Sequence, residues 1–175
     1  MGQYYNPVLI QHERIKVYDR SVEPDKEYVM AKLTEHSWWF NPTCNAVAKL
    51  LYKKAGYLFW CGDYAEDAIA EFARNVSNEY SLPNPEGFNL NNKFLVNWTD
   101  KTYIDCNKYY DASKDEDGWV LFPLSLLTAR GNGLGGGDYH GCNMDLVGTW
   151  AGKQISVEDE KPVGYNEQEL VFMER

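Results

Sequence analysis

Apolar residues recur at helical spacing in two stretches of this chain, and the remainder reads as short extended runs broken by Gly, Pro, Asn and Asp. In the first stretch Asn41-Pro42 offers an N-cap followed by proline at the first helical position, and Gly56 offers a stop. Between them Cys44, Val47, Leu51 and Ala55 share one face, with Leu50 at its border. In the second, Gly62-Asp63-Tyr64 turns the chain, and Asp63 with Glu66 matches the D-x-x-E form of a capping box. Ala65, Ala68, Ile69, Phe72 and Val76 make its apolar stripe. The spacing predicts two main helices, over about 42–55 and 64–76.

Strand signals surround them. Tyr4 to Gln11 and Arg14 to Tyr18, separated by the polar His12-Glu13, predict an N-terminal hairpin, and Glu27 to Leu33 a further strand. Tyr57 to Cys61 is almost wholly apolar, which suits a strand buried on both faces. Phe94 to Trp98 and Thr102 to Cys106 read as a hairpin around Thr99-Asp100-Lys101, and Trp119 begins a strand ending near Pro123. Leu146 to Ala151 and Gln154 to Glu158 read as a tight hairpin on Gly152-Lys153. The longest loop, about 77–92, holds Pro83, Pro85 and Gly87 and is expected to be flexible. Strands, then two helices, then more strands predict an α+β fold, mainly an antiparallel sheet with the helices on one face. No shift in composition divides residues 1–175, so they read as a single domain, long enough to bury roughly 70% of its unfolded surface. With 13 Tyr, 7 Phe and 6 Trp the chain carries far more bulky apolar surface than a disordered segment.

Charge narrows the partners. Lys and Arg number 17 against 26 Asp and Glu, a net −9, and the densest basic step is Lys53-Lys54. Affinity for phosphate backbones comes from clustered cations releasing counterions, so nonspecific nucleic-acid binding is not expected. No run approaches 18 apolar residues, so no membrane span is expected. The opening Met1-Gly2-Gln3-Tyr4-Tyr5-Asn6 has neither a basic region nor an apolar one behind it, which predicts a cytoplasmic protein. Cys44, Cys61, Cys106 and Cys142 lie far apart without a C-x-x-C pair, as reduced thiols.

The most unusual segment is Gly131 to Gly141, with six glycines in eleven positions. It contains G-x-G-x-x-G, but a dinucleotide site needs a strand before that motif and a helix after it, and Gly148 weakens any helix there. No Gly-Lys-Ser/Thr follows, so it is not a phosphate-binding P-loop. Two uses remain open: a folded-back loop that needs positive φ, or a nest of backbone N–H groups facing a ligand or partner. Its candidate contact residues are Gly133, Gly135, Gly136, Gly137, Asp138, Tyr139 and His140, and Asp138 and His140 are also candidate acid–base residues.

Other constellations fit their chemistry less well. Asp138, His140, Cys142 and Asp145 put four donors within eight residues, but zinc sites join pairs from separate elements. From Ser113, Asp115 and Asp117 take the third and fifth places of a calcium loop with Gly118 sixth, yet Leu124 stands where a bidentate Glu is required. No metal or other cofactor is therefore expected. Cys44 falls in the first turn of a predicted helix, where the dipole lowers a thiol pKa, but it shares a face with Val47 and Leu51. In Glu35-His36-Ser37-Trp38-Trp39-Phe40, three consecutive aromatics cannot all face the core, so Trp38 and Trp39 are candidate contact residues.

Met1-Gly2-Gln3-Tyr4-Tyr5, Glu35-His36-Ser37-Trp38, Trp60-Cys61-Gly62-Asp63-Tyr64-Ala65, Gly131-Asn132-Gly133 with Gly135-Gly136-Gly137-Asp138-Tyr139, and Val147-Gly148-Thr149-Trp150-Ala151-Gly152 resemble a family of small uncharacterised proteins of bacteria and their phages. The resemblance runs through most of the chain and implies an intracellular bacterial or phage protein. It assigns no activity, cofactor or catalytic residue. The residues together point to a non-catalytic binding or regulatory protein whose glycine loop and aromatic surface contact a protein partner of unidentified type. The alternative is a hydrolase-like enzyme acting on a small polar or phosphorylated substrate at Asp138 and His140.

Overall fold

The chain opens on a two-residue turn. His12 and Glu13 both take left-handed backbone, with φ of 49° and 61°. That turn matches the twist of the strands it joins, and it sets Gln11 opposite Arg14 and Val8 opposite Val17. The computed structural model describes residues 1–22, 32–76 and 80–174, without the side chains of 19–22. In chain order its elements are β1 (Tyr5–Gln11), β2 (Arg14–Val22), α1 (Pro42–Leu50), β3 (Gly56–Gly62), α2 (Ala68–Asn75), β4 (Tyr80–Leu82), β5 (Phe94–Asn97), β6 (Thr102–Asp105), α3 (Cys106–Ser113), α4 (Pro123–Leu127), β7 (Ala129–Arg130), β8 (Gln154–Glu158) and β9 (Asn166–Glu167). The strands form one sheet in the order β4-β2-β1-β3-β8-β5-β6-β9, with β7 paired to β3. Most pairs are antiparallel; β2 with β4, β3 with β7 and β6 with β9 are parallel. The fold is a single-domain α+β fold.

Helix α1 begins where Asn41 predicts. The Asn41 side-chain oxygen accepts from the Thr43 and Cys44 N–H groups at 2.9 and 3.3 Å. It ends five residues before position 55, because Lys53 turns left-handed (φ 55°) and residues 51–53 bond to β8 instead. The Lys53 N–H donates to the Val157 carbonyl at 2.9 Å, and Val157 N–H to that of Leu51 at 3.0 Å. Helix α2 starts later than the capping-box reading places it. Asp67 is its N-cap, accepting from Ala70 N–H at 3.0 Å, while Asp63 accepts from Tyr4 N–H at 3.0 Å.

Successive residues of a strand face opposite sides of the sheet, and the two main helices use both sides. Leu9, Leu58 and Trp60 belong to the larger core with the buried residues of α1, α3 and α4; Val8, Val17 and Cys61 form a smaller core with Ala65 and Ala70, against Ile69 and Ala73 of α2. The expectation that both helices lie on one face is corrected by this alternation.

Three other expectations change. Trp119 to Pro123 is not a strand: Leu121 makes a single bridge to Trp38, and Pro123 opens the short helix α4. Of the strand expected over 146–151, Leu146 ends a 3₁₀ segment at Met144–Leu146 and residues 147–151 are turns. There the Gly148 and Trp150 N–H groups donate to Leu126 and Leu127 carbonyls at 2.9 and 2.8 Å. Of the loop expected over 77–92, residues 77–79 lie outside the described residues, Tyr80–Leu82 pairs with β2, and Leu90 is fully buried. The strand expected from Glu27 to Leu33 also lies mostly outside them, and Leu33 itself is buried in a turn. No helix among the described residues is long and apolar enough to cross a membrane.

Candidate functional site

The glycine-rich segment leaves β7 and folds around a carboxylate of its own. Asp138 is 3% exposed. Its Oδ2 accepts from the Gly133 and Gly135 N–H groups at 2.7 and 3.0 Å, and its Oδ1 from the Tyr5 hydroxyl at 2.7 Å. Gln3 Nε2 approaches both oxygens, at 3.0 and 2.8 Å, and donates to the Gly131 carbonyl at 2.7 Å. Burial first, then the Asp138 bond and charge, push the Tyr5 phenol far above its ordinary pKa, so it stays a donor. The backbone nest anticipated for an outside anion is thus filled from within. Gly133 serves this geometry by its backbone: its φ is +95°, and a Cβ there would meet nothing within 4 Å.

The same loop ties the chain's ends together. Gly136 N–H donates to the Met1 carbonyl and Gln3 N–H to that of Gly136, both at 2.9 Å. Thr34 N–H and Oγ1 both donate to the Gly137 carbonyl. Asn132 closes the loop against the Tyr139 backbone from both sides, at 2.8 and 3.2 Å. Tyr139 is fully buried, and its hydroxyl bonds the Cys142 carbonyl at 2.7 Å and the backbone of Met173. A Cβ on Gly141 would collide with the Met173 carbonyl.

Outside this hub lies an open cleft of about 440 Å³, lined among others by Ala65, Asp67, Arg130, Leu134 and Met144. Leu134 is 55% exposed and Met144 43%. Arg130 is held to Asp67 at 2.8 Å. Burial raises the Asp67 carboxyl pKa, but the Ala70 N–H bond and the Arg130 guanidinium outweigh this and hold it below its usual range.

The aromatic run divides as a strand-like alternation demands. Trp39 is core, its Nε1 donating to Asn91 at 3.2 Å. Trp38 is half-buried, with its ring 5.5 Å from that of Trp119 at 37°. Trp119 and Phe40 are 43% and 52% exposed, and Phe40 leans on Tyr110 at 6.5 Å. Trp119 belongs to no motif and Leu134 fills only a variable position of the glycine-rich segment, so nothing in the local sequence marks either as a surface anchor.

The remaining candidates separate. His140 is exposed while Asp138 is buried. Cys44 is fully buried, and its Sγ contacts the His36 carbonyl at 3.9 Å rather than an imidazole nitrogen. Burial pushes its thiol far above the ordinary value, opposite to what a nucleophile needs. Asp115 Oδ1 accepts from the Asp117 and Trp119 N–H groups, at 3.0 and 2.6 Å. Among the described residues no three His, Cys, Asp or Glu side chains group as metal ligands. Against protein-family models, curated proteins and solved structures the chain finds no match.

Proposed function

We propose that the protein is a non-catalytic binding or regulatory protein that contacts a protein partner through the outer side of the glycine loop and the aromatic surface of Trp38. The observation that carries this reading is the internal closure of the loop on Asp138. Four donor groups of the chain itself occupy that carboxylate, while Leu134 stays more than half exposed beside an open cleft. A rigid loop presenting an apolar side chain costs little entropy on association, which favours a contact role. The reading narrows the contact residues: Asp138, Tyr139 and Trp39 build the surface from inside, and Leu134, Met144, Trp38 and Trp119 present it. The alternative, a hydrolase-like enzyme at Asp138 and His140, asks a buried and fully engaged carboxylate to meet substrate beside an exposed imidazole.

The test is capture of partners from a lysate of the producing cells by tagged protein, compared with Leu134→Asp and with Glu86→Gln as a distant control. A stoichiometric protein kept by the wild type and the control but lost by Leu134→Asp is the expected result. Equal capture by Leu134→Asp, or a retained metabolite with no protein, overturns the reading.

A further inference from the structure

We infer that the Trp38–Trp119 surface takes a basic segment of the partner, seating an arginine or lysine side chain against the indole pair. This rests on the partner-binding reading above and names the chemistry of the partner. Trp119 is exposed, yet both its backbone groups are fixed by one residue. Its N–H donates to Asp115 Oδ1 at 2.6 Å, and its carbonyl accepts from Asp115 N–H at 3.0 Å. The ring then rests 5.5 Å from Trp38. An exposed aromatic held this way is already ordered before anything binds, as interface anchors are.

The charge beside it selects the occupant. Glu116 and Asp117 are exposed, and among the described residues neither side chain makes a hydrogen bond or ion pair. Asp67, Asp100 and Asp159 by contrast are each paired to a cation of the chain. Asp111, in the last turn of α3, is a further exposed carboxylate, and Lys114 is the one cation between residues 111 and 119. Lys114 already stands over the Tyr110 ring at 6.0 Å, within the range of cation–π attraction. The arrangement therefore offers ring faces and uncompensated negative charge together, which a guanidinium satisfies better than an apolar or anionic group. A nucleic acid is the wrong occupant, since its phosphates would meet residues 115–117 and a chain of net charge −9.

A short alternating Arg-Gly peptide, titrated into the full chain at physiological ionic strength and followed by tryptophan emission and calorimetry, tests the assignment. A Glu-Gly peptide serves as the control. Saturable binding of the arginine peptide alone is expected, weakened about tenfold in Trp119→Ala and less in Trp119→Phe. Glu116→Gln with Asp117→Asn should weaken it and flatten its salt dependence. No saturable binding, or equal affinity in a folded Trp119→Ala, overturns the assignment. If the peptide fails while Leu134→Asp still releases the captured partner, partner binding stands and only its cationic chemistry falls.

Discussion

Replacing Asp138 by Asn keeps the shape of the side chain and removes its charge at the centre of the glycine loop. Four groups donate to it: two backbone N–H groups, the Gln3 amide and the Tyr5 hydroxyl. The new amide can keep its oxygen toward Gly133, Gly135 and Gln3 Nε2, and Tyr5 can rotate to accept, but Gln3 Nε2 then also lies 3.0 Å from an NH₂ group in place of the second oxygen. A bond to a charged acceptor is worth roughly 1 kcal/mol more than one to a neutral acceptor, so four donors, not fully additive, give a loss of about 3 kcal/mol. That is a large part of a typical domain's stability. In a chain of 175 residues it lowers Tm by roughly 6–12 °C. Urea and thermal unfolding measure the loss, and hydrogen exchange should show the Gly133 and Gly135 amides losing protection first. A loss below about 1 kcal/mol with both amides still protected would mean that the carboxylate does not hold the loop.

Two further results follow from burial and charge. Cys44, Cys61 and Cys106 are buried, and burial pushes the Cys61 thiol up to about 12, so Cys142 should be the thiol that labels in the native state. A thiol-reactive chromophore should count one fast site without denaturant and four with it; rapid labelling of Cys44 would contradict the packing of α1. Because Asp67 is held below its usual range when folded, its contribution is complete above the unfolded carboxylate pKa of about 3.9 and is lost as pH falls through the folded value. The stability difference between wild type and Asp67→Asn should therefore be largest near neutrality and shrink in acid. A difference constant from neutral pH to about pH 2 would refute the pairing.

The parts of the fold legible in the sequence are those written locally. His12-Glu13 and Thr99-Asp100-Lys101 stand between alternating runs, and β1 with β2 and β5 with β6 pair across them. Asn41-Pro42 starts α1 because both residues act within one turn. Helix α4 was not legible, since five residues are too few to show a period and Trp119 to Phe122 has strand-like composition. Pro123 reads equally as a terminator or as a first helical residue. Helix α3 did carry a signal in the Asp105 cap, which accepts from Asn107 and Lys108 N–H groups, but its buried face is only Cys106, Tyr109 and Ser113. The loop was visible as glycine, whereas its organising contacts join Asp138 to Gln3 and Tyr5, 135 and 133 residues away. Nothing in local spacing encodes a contact of that range, and the meeting of Trp38 with Trp119 was hidden for the same reason.

The proposed contact surface is tested most directly by hydrogen exchange of the protein alone and in complex with the partner recovered by capture. Added protection confined to residues 37–40, 115–121, 132–136 and 142–148 is the predicted footprint. Protection falling instead on the β2–β4 edge of the sheet, with these segments unchanged, would contradict the account.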